Sequence, residues 1–442
     1  MRASSRCPRV TIVSSNFWPE QTGSSQTVAE FAEFLADRGA DVRVATALPF
    51  YPQWRIWESY RGTLWRTEKR NGMTIFRAWH VVSPRPTTLG RLLHETTLAL
   101  FGLPVLIRAL RGTHIAYVVS PALTFALVGL VMAAVMRVPR VLIVKDVMPD
   151  AAIELGMLRN GIAIALSRWL ARCAYRLADE IHTLGDGMRR RIAAVSGRDD
   201  NIRIVPDTID AEELVPVPLE HNEFRRQFVA PGTFAVLHTG NMGKKQDLGV
   251  LLRAAASLRD NPTVRFYVFG DGAEKATFLD RRAALGLENV CHYPLQPRSM
   301  LAHMLSGADV VLVSQLAEVV DIVVPSKLLT AMASGAMIIA ACSGDSETAR
   351  LVKESGAGIV VGAGDHVALV HTINRIRRGE IDVNVCRQRA RRFAISRFDR
   401  NVVYGAVVRS LLGDLDAGGL AEGAASSGVW SVEPATQKGA EP

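Results

Sequence analysis

The chain alternates strand-like and helix-like segments through its first half, and the same alternation starts again in the second. The first half opens with a predicted strand at Val10–Ser14, an amphipathic helix at Gln26–Arg38 and a strand at Asp41–Thr46. A predicted strand at Phe234–Thr239 and a helix at Leu248–Leu258 restart the pattern. Because β-α-β units close with a right-handed crossover, this order predicts parallel sheets with functional loops at their carboxyl edges. We therefore predict an α/β chain with two Rossmann-like domains.

The predicted organisation is two domains, a further helix and a tail. The 442 residues are enough for two domains of ordinary size. A segment rich in proline and acidic residues, Val205–Glu220, is predicted to connect them. This places the N-terminal domain at 1–210, the C-terminal domain at 211–395 and a last helix at 396–413. Residues 414–442 are rich in Gly, Ala, Ser and Glu and are predicted to be a disordered tail.

Composition narrows the class of protein. Hydrophobic residues make up 48% and charged residues 21%, which is enough to build cores and argues against general disorder. The net charge of +9 favours an anionic partner such as a nucleotide, a diphosphate-linked lipid or a membrane surface. The basic residues are dispersed and lack interleaved aromatics, which argues against nucleic-acid binding. The five cysteines show no CxxC pair and no zinc spacing, so a reduced, cytosolic protein without structural zinc is predicted.

Two apolar stretches raise the question of membrane contact. The longer one, Ile115 to Val135, is broken by Pro121, and a strand followed by helix Leu123–Met136 explains it better than a membrane span. Strand Arg140–Val144 follows at once and completes a β-α-β unit. The other stretch, Leu92–Arg111, mixes apolar residues with arginines. It could dock on an anionic membrane surface or pack as an ordinary helix on the sheet, and the sequence leaves both open.

A glycine-bearing turn is the first candidate for a ligand site. Gly240 to Gly243 lie between a predicted strand and a predicted helix. Such a turn lets backbone N–H groups approach a phosphate, and the helix N-terminus adds partial positive charge. Lys244 and Lys245 add two full charges beside it. The alternative is a tight turn with two solvated lysines, and this segment alone does not discriminate between them.

Two charged residues are predicted at helix starts. Ser326 is a natural N-cap, which places Lys327 in the first turn of the helix that follows. The helix dipole disfavours a cation there, so a facing anion would explain this lysine better than a surface position does. Glu347 begins a helix after Gly344. Its charge could simply favour the helix dipole, or it could face a ligand.

Other candidates follow predicted strands, where the carboxyl edge of a sheet would lie. Gly270, Asp271 and Gly272 form a short turn whose default interpretation is structural. Gly23, in the loop after the first strand, permits close backbone approach to a phosphate or sugar, or merely gives loop flexibility. Asp146 ends a buried strand and could orient a reacting hydroxyl group or cap the next helix.

Five segments of the second half stand in a recognisable order: His238–Gln246, Phe269–Gly272, Pro294–Pro297, Gly307–Val310 and Pro325–Gly335. In this order they resemble the retaining GT-B-fold glycosyltransferases of family 4, especially the bacterial exopolysaccharide and colanic-acid types. The first half is similar through Phe17–Gly23 and Lys145–Asp150, so the resemblance spans roughly residues 10–412. It implies a GT-B fold, with two Rossmann-like domains facing each other across a cleft. The first would take the acceptor, the second the nucleotide sugar, and the helix at 396–413 would cross back to the first.

The resemblance also implies roles for individual residues. The reaction centre would include Gly23 and Asp146. The donor would be bound by Gly240, Asn241, Lys244, Lys245, Gly270, Asp271, Gly272, Lys327, Leu328, Leu329, Thr330 and Glu347. The pattern departs from the family at four places. Asn241 stands where an Arg is usual, Ile322 and Thr330 stand where a pair of Glu is common, and no His lies near Asp146.

The resulting expectation is a hexosyltransferase that moves a sugar from a UDP- or GDP-linked donor to a glycan or a polyprenyl- or lipid-linked acceptor. Cell-surface polysaccharide or glycolipid synthesis would be its setting, and the reaction would retain the anomeric configuration. We expect no metal and no cofactor: the histidines lack metal spacing, and the D-x-D at Asp414 and Asp416 adjoins the predicted tail. We expect the protein to be cytoplasmic, with peripheral contact on the inner face of the plasma membrane left open.

Two alternatives to this expectation belong to other classes of protein. A non-catalytic, glycosyltransferase-like nucleotide-binding scaffold is the main alternative, motivated by the missing Glu pair. A nicotinamide-dependent oxidoreductase is disfavoured, because no G-x-G-x-x-G follows the first predicted strand.

Overall fold

The computed structural model shows two α/β units, each built on its own largely parallel sheet. The residues it describes are 8–20, 24–84, 88–120, 122–148, 150, 153, 160–243, 245–319 and 326–416. The predicted α/β class with two Rossmann-like units is confirmed.

The first sheet has eight strands in the order β3-β4-β2-β1-β5-β6-β7-β8. These strands are β1 (Arg9–Ser14), β2 (Asp41–Ala47), β3 (Trp65–Arg70), β4 (Met73–Ala78), β5 (Ile115–Ser120), β6 (Arg140–Val144), β7 (Glu180–Thr183) and β8 (Ile202–Ile204). Neighbouring strands are parallel except for the β3–β4 hairpin. That hairpin turns at Asn71 and Gly72, with φ of 44° and 74°, because a two-residue turn that matches strand twist needs two positive φ angles.

Helices cover both faces of this sheet. On one face, α1 (Ser24–Asp37) packs on Val10 and Ile12 of β1. The helices of the other face share a core with Val13 of β1, since successive strand residues point to opposite sides. They are α2 (Thr88–Leu110), α3 (Leu123–Val135), α4 (Gly161–Leu177) and α5 (Asp186–Ser196). The stretch from Ile115 to Val135 therefore forms β5 and α3, as predicted.

The second sheet has six strands in the order β11-β10-β9-β12-β13-β14, all parallel. Its strands are β9 (Phe234–Asn241), β10 (Val264–Asp271), β11 (Val290–Tyr293), β12 (Val310–Ser314), β13 (Ile338–Ala341) and β14 (Gly358–Val361). The helices of this half are α6 (Glu223–Phe228), α7 (Leu248–Ser257), α8 (Lys275–Ala284), α9 (Leu301–Gly307), α10 (Ser326–Ala333), α11 (Glu347–Ser355), α12 (His366–Arg377) and α13 (Val383–Phe398).

The end of the described chain returns to the first sheet. A last helix was predicted at 396–413, but the chain there belongs to two helices, because α13 stops before Asp399 and α14 (Arg400–Asp416) follows. The break arises where Ile209 N–H donates to the Phe398 carbonyl at 2.8 Å and Arg400 N–H donates to the Ile209 carbonyl at 3.0 Å. Tyr404 then places its ring centroid 5.0 Å from that of Phe31 on α1.

The boundary of the predicted tail also shifts. Helix α14 continues to Asp416, so the Asp414–Asp416 pair is helical, whereas the tail was predicted to begin at 414. Residues 417–442 lie outside the described part of the chain.

Within helix α2, the stretch Gly90–Leu110 is long and apolar enough to cross a membrane. It is the one such helix among the described residues. It nevertheless packs on the sheet through Leu98, Leu106 and Leu110, which are fully buried. The predicted packing of this segment as a surface helix is therefore observed, and its outer side is considered below.

Candidate functional site

The site lies where the carboxyl edges of the two sheets face each other. Asp146 follows β6 of the first sheet, and Lys245 follows β9 of the second; Lys245 Nζ is 3.9 Å from Asp146 Oδ1. A second contact crosses nearby, where the Glu347 carboxylate lies 3.4 Å from the position that a Cβ on Gly185 would occupy. In open parallel sheets, ligands bind outside the carboxyl ends of the strands, so this cleft is the expected ligand position.

Lys327 occupies the centre of the second-sheet side of the cleft. It lies in the first turn of α10, which already includes Ser326, so the prediction that Ser326 stands outside the helix as its N-cap is wrong. Lys327 Nζ donates a hydrogen bond to Gln246 Oε1 and lies 3.9 Å from the position that a Cβ on Gly240 would occupy. The lysine, the Gly240 turn and the segment carrying Lys245 therefore form one site.

The electrostatics of Lys327 are unusual for a lysine. Burial lowers its pKa from 10.5 to about 7. Its hydrogen-bond partner Gln246 is neutral, and no ion pair of Lys327 with a carboxylate occurs among the described residues. His238 is fully buried beside it, and that burial together with the Lys327 charge holds the pKa of His238 well below its usual value. Lys327 therefore lies next to a neutral imidazole, and a bound anion would stabilise the charged form of the lysine.

The glycines around the turn are explained by close backbone packing. Gly240 has φ of +108°, which favours glycine. A Cβ on Gly270 would lie 2.4 Å from the Gly240 carbonyl oxygen, and one on Gly272 would lie 2.5 Å from Asn241 Oδ1. The structural interpretation of Gly270 and Gly272 thus has a direct basis, since these residues let the chain approach the end of β9 closely. Gly240 and Asn241, predicted to lie in the turn, are the last two residues of that strand.

Replacing Gly270 with alanine should therefore disturb the turn that faces Lys327. The added methyl group must displace backbone, and we expect the free energy of unfolding to fall by about 1–3 kcal/mol. Thermal melting would measure it, with Gly362→Ala as the matched control, because a Cβ there meets nothing nearer than Asp365 Cβ at 3.6 Å. Equal melting temperatures for the two variants would contradict the packing explanation.

The other predicted donor-binding residues near Gly240 differ in exposure and in their hydrogen bonds. Asn241 is exposed at the end of β9. Asp271 is also exposed, and its carboxylate accepts hydrogen bonds from Gly272 N–H and Lys275 Nζ, each at 2.8 Å. Those bonds lower the pKa of Asp271, the Lys275 bond most. Lys244 lies outside the described residues, as do Gly23 and Ile322.

Three residues after Lys327 contribute backbone more than side chain. Leu328 and Leu329 are buried in the core beneath the second sheet, so a ligand in the cleft can meet only their main chain. Thr330 Oγ1 donates to the Lys327 carbonyl at 3.1 Å, so its hydroxyl is already used inside the helix.

Asp146 lies on the side of the cleft that the first sheet forms. Burial raises the pKa of this carboxyl group, while the charge of Lys245 acts in the opposite direction. Its neighbour Lys145 is ion-paired with Asp207, so that lysine is neutralised within the first unit. Asp146 therefore faces Lys245 across the cleft. The predicted alternative of a helix cap involves residues 151–159, most of which lie outside the described part of the chain.

Glu347 lies at a helix start, as predicted, and its side chain lines the cleft; contact with a ligand stays a prediction. It lies in the first turn of α11, whose N-cap Ser346 accepts a hydrogen bond from Ala349 N–H at 3.2 Å. Its side chain is only 11% exposed, and Arg350 binds both oxygens, with Nε at 2.8 Å from Oε2 and Nη2 at 2.5 Å from Oε1. The carboxylate thus lies in the cleft opposite Gly185 in a fixed orientation.

Sequence reasoning missed the residues that hold the loop after β1. Glu20 is buried, and its Oε1 accepts hydrogen bonds from the N–H groups of Phe50 and Tyr51, both at 2.7 Å. Arg77 is fully buried, and its Nη2 donates to the Trp18 carbonyl at 2.5 Å. These bonds anchor the chain just before the segment that contains Gly23. The available signal was a single arginine inside the otherwise apolar second half of β4.

No group of three or more His, Cys, Asp or Glu that could hold a metal ion occurs within the described ranges.

Two family descriptions match the chain, one on each sheet. Residues 22–208 match "Glycosyl transferase 4-like domain", and residues 233–378 match "Glycosyl transferases group 1". The chain is a group 1, family 4-like glycosyltransferase. The predicted family is thereby confirmed, and the two matched regions correspond to the two sides of the cleft in this glycosyltransferase.

Two relatives of the chain also bear the name of glycosyltransferase. The glycosyltransferase is 29% identical over 360 residues to WcaI of Escherichia coli K12, whose name places it in colanic acid biosynthesis; the match covers 80% of this chain and 88% of WcaI. It is 28% identical over 282 residues to the Pseudomonas aeruginosa protein WbjE, named as a glycosyltransferase, covering 63% of this chain and 69% of WbjE.

Solved structures confirm the GT-B fold. HepE from Anabaena, solved with UDP, superposes with a TM-score of 0.66 at 16% identity, covering 92% of this chain and all of HepE. Sucrose-phosphate synthase from Thermosynechococcus elongatus gives the same TM-score and identity, covering 92% of this chain and 99% of the synthase.

Proposed function

We propose that this glycosyltransferase moves a sugar from a nucleoside diphosphate donor to a glycan or a polyprenyl-linked acceptor during the synthesis of a cell-surface polysaccharide. The reaction would retain the anomeric configuration and use neither a metal ion nor a further cofactor. The name of WcaI, a colanic acid biosynthesis enzyme, supports the setting. The donor would carry UDP or GDP. The UDP complex of HepE supports a nucleoside diphosphate as this part of the donor.

The observation that carries the proposal is the position of Lys327. Lys327 is a partly buried cation in the first turn of a helix, and its hydrogen-bond partner is a neutral amide. Its charge is unfavourable there because it has lost hydration and because it lies at the positive end of the helix dipole. A diphosphate beside Gly240 would offset both effects. It would also accept hydrogen bonds from backbone N–H groups of the turn after β9.

The mechanism follows from the charges on the two sides of the cleft. Lys327 and Lys245 would neutralise the diphosphate and stabilise the negative charge that develops on the leaving oxygen. The acceptor hydroxyl would approach from the side of Asp146 and attack the anomeric carbon on the face that the diphosphate leaves. Its proton would pass to the departing phosphate oxygen, and closure of the cleft would exclude water.

A turnover assay tests the proposal directly. Purified protein would be incubated with UDP- and GDP-linked hexoses and a polyprenyl diphosphate-sugar acceptor, and nucleotide release would be measured with and without EDTA. We expect release that EDTA does not change, and a product whose anomeric configuration by NMR equals that of the donor. An inverted product, or activity lost in EDTA and restored by Mg²⁺, would refute the corresponding part of the proposal.

A non-catalytic nucleotide-binding scaffold is the second candidate. It is favoured by Thr330, whose hydroxyl is occupied by the Lys327 carbonyl at a position where the family commonly has Glu. In that case nucleotides should raise the melting temperature by mass action, while every donor in the panel stays intact through prolonged incubation.

We further propose a cytoplasmic protein that works at the inner face of the plasma membrane, where a polyprenyl-linked acceptor would be available.

A further inference from the structure

The outer side of α2, α3 and α4 exposes an unusual number of large apolar side chains. On α4, Ile162 is 82% exposed, Trp169 59% and Leu166 50%. We call the solvent side of these helices the helical face. Its exposed apolar residues are Leu92, Leu93, Leu100, Ile107, Val131, Val135, Ile162, Leu166 and Trp169.

These residues lie on one side of the molecule. The three helices cover the same side of the first sheet, to which each turns a separate set of buried residues, such as Leu106, Leu130 and Ala174. On α4 the exposed apolar residues recur at i, i+4 and i+7, which is one stripe of a helix. The solvent side of a surface helix normally carries polar residues, so an apolar stripe there indicates that another surface covers it.

Positive charges outnumber negative charges on these three helices. The three helices contain a single acidic residue, Glu95, whose Oε2 accepts the Thr124 N–H at 3.0 Å. Arginines within or directly after them are Arg91, Arg108, Arg111, Arg137, Arg168, Arg172 and Arg176. Of these, Arg168 has an acidic neighbour, Asp150, at 3.6 Å. This excess of positive charge complements an anionic surface.

We propose that the helical face binds the surface of an anionic phospholipid bilayer. Trp169 and the aliphatic side chains would enter the boundary between head groups and acyl chains, and the arginines would contact lipid phosphates. The sequence left membrane docking open for Leu92–Arg111. Helix α4 supplies the most exposed part of the helical face.

This placement would bring the bilayer next to the cleft. Helices of β-α-β units begin near the carboxyl ends of the strands, and Ile162, Leu166 and Trp169 all lie in the first half of α4. An acceptor anchored in the bilayer could then reach Asp146 without leaving it. The docking itself depends on the exposed residues and not on the proposed reaction, so the two can fail separately.

Vesicle flotation with the full-length protein tests the proposal. Vesicles of pure phosphatidylcholine would be compared with vesicles containing one third phosphatidylglycerol. We expect at least tenfold stronger binding to the anionic vesicles, weakened at high salt. The triple variant Ile162→Ser, Leu166→Ser, Trp169→Ser should lose at least tenfold in affinity for them. The control variant Leu219→Ser, Leu285→Ser, Val367→Ser changes three exposed apolar residues of the second unit and should bind like the wild type.

Two further measurements keep the result decisive. Melting curves with a bound nucleoside diphosphate should match for the wild type and both variants, which separates docking from folding and from donor binding. Sedimentation velocity would show whether the stripe instead joins two copies of the chain. A dimer that the triple variant dissociates, or vesicle binding that it leaves unchanged, overturns the proposal.

Discussion

Replacing Lys327 with methionine is expected to reduce strongly the stabilisation of the protein by UDP or GDP while making the ligand-free protein more stable. The side chain donates to Gln246 Oε1 beside Gly240, where we place the donor diphosphate. Loss of a charge-assisted contact to phosphate should weaken nucleotide binding by about 10- to 100-fold. Differential scanning fluorimetry over a range of nucleotide concentrations would measure it.

The gain in stability follows from the pKa of Lys327, which burial lowers from 10.5 to about 7. Between those values the unfolded chain binds more protons than the folded one, so wild-type stability rises as the pH rises through this window. Below pH 7 the folded protein bears the full cost of the buried charge. The methionine variant should therefore be more stable by about 2–4 kcal/mol at pH 6, with the difference shrinking towards pH 10.

The matched control is Lys353→Met, since Lys353 is an exposed lysine of the same unit that bonds the Gly344 carbonyl at 3.2 Å. It should keep the nucleotide response and show little change with pH. An undiminished nucleotide response in the Lys327 variant would remove this lysine from the donor site.

Replacing Asp146 with asparagine should lower the transfer rate by roughly 100-fold or more, a size typical for loss of a group that handles or orients a reacting proton. Asp146 is the carboxylate of the first unit that lies closest to Lys245, at 3.9 Å. Removing its charge leaves Lys245 free for the diphosphate. We therefore expect nucleotide affinity to stay level or rise a few-fold, since a partly exposed pair with its charges 3.9 Å apart contributes little.

Steady-state kinetics and calorimetric titration with nucleoside diphosphate would separate the two effects. The control is Asp199→Asn, which breaks a surface pair with Arg189 at 2.8 Å and should leave both quantities unchanged. A transfer rate equal to that of the wild type would show that Asp146 lies outside the reaction centre.

The order of strands and helices, and with it the two parallel sheets, could be predicted from the amino-acid sequence. Strand Arg140–Val144 begins and ends where the pattern of apolar residues predicted. This succeeds because hydrophobic periodicity records which side of each segment is buried, and the β-α-β order then restricts the topology. The ordered motifs added the family, which the comparisons confirm.

The contacts between residues far apart in the chain could not be predicted in this way and are known from the folded structure. The bond from Lys327 to Gln246 spans 81 positions, and the Asp146–Lys245 contact joins the two sheets. The same holds for the break at Asp399, where a bridge from Ile209 interrupts a pattern that is locally helical. Local propensity and periodicity carry no information about such pairs, because burial, pKa and charge at the cleft arise from packing between segments that the chain brings together only when it folds.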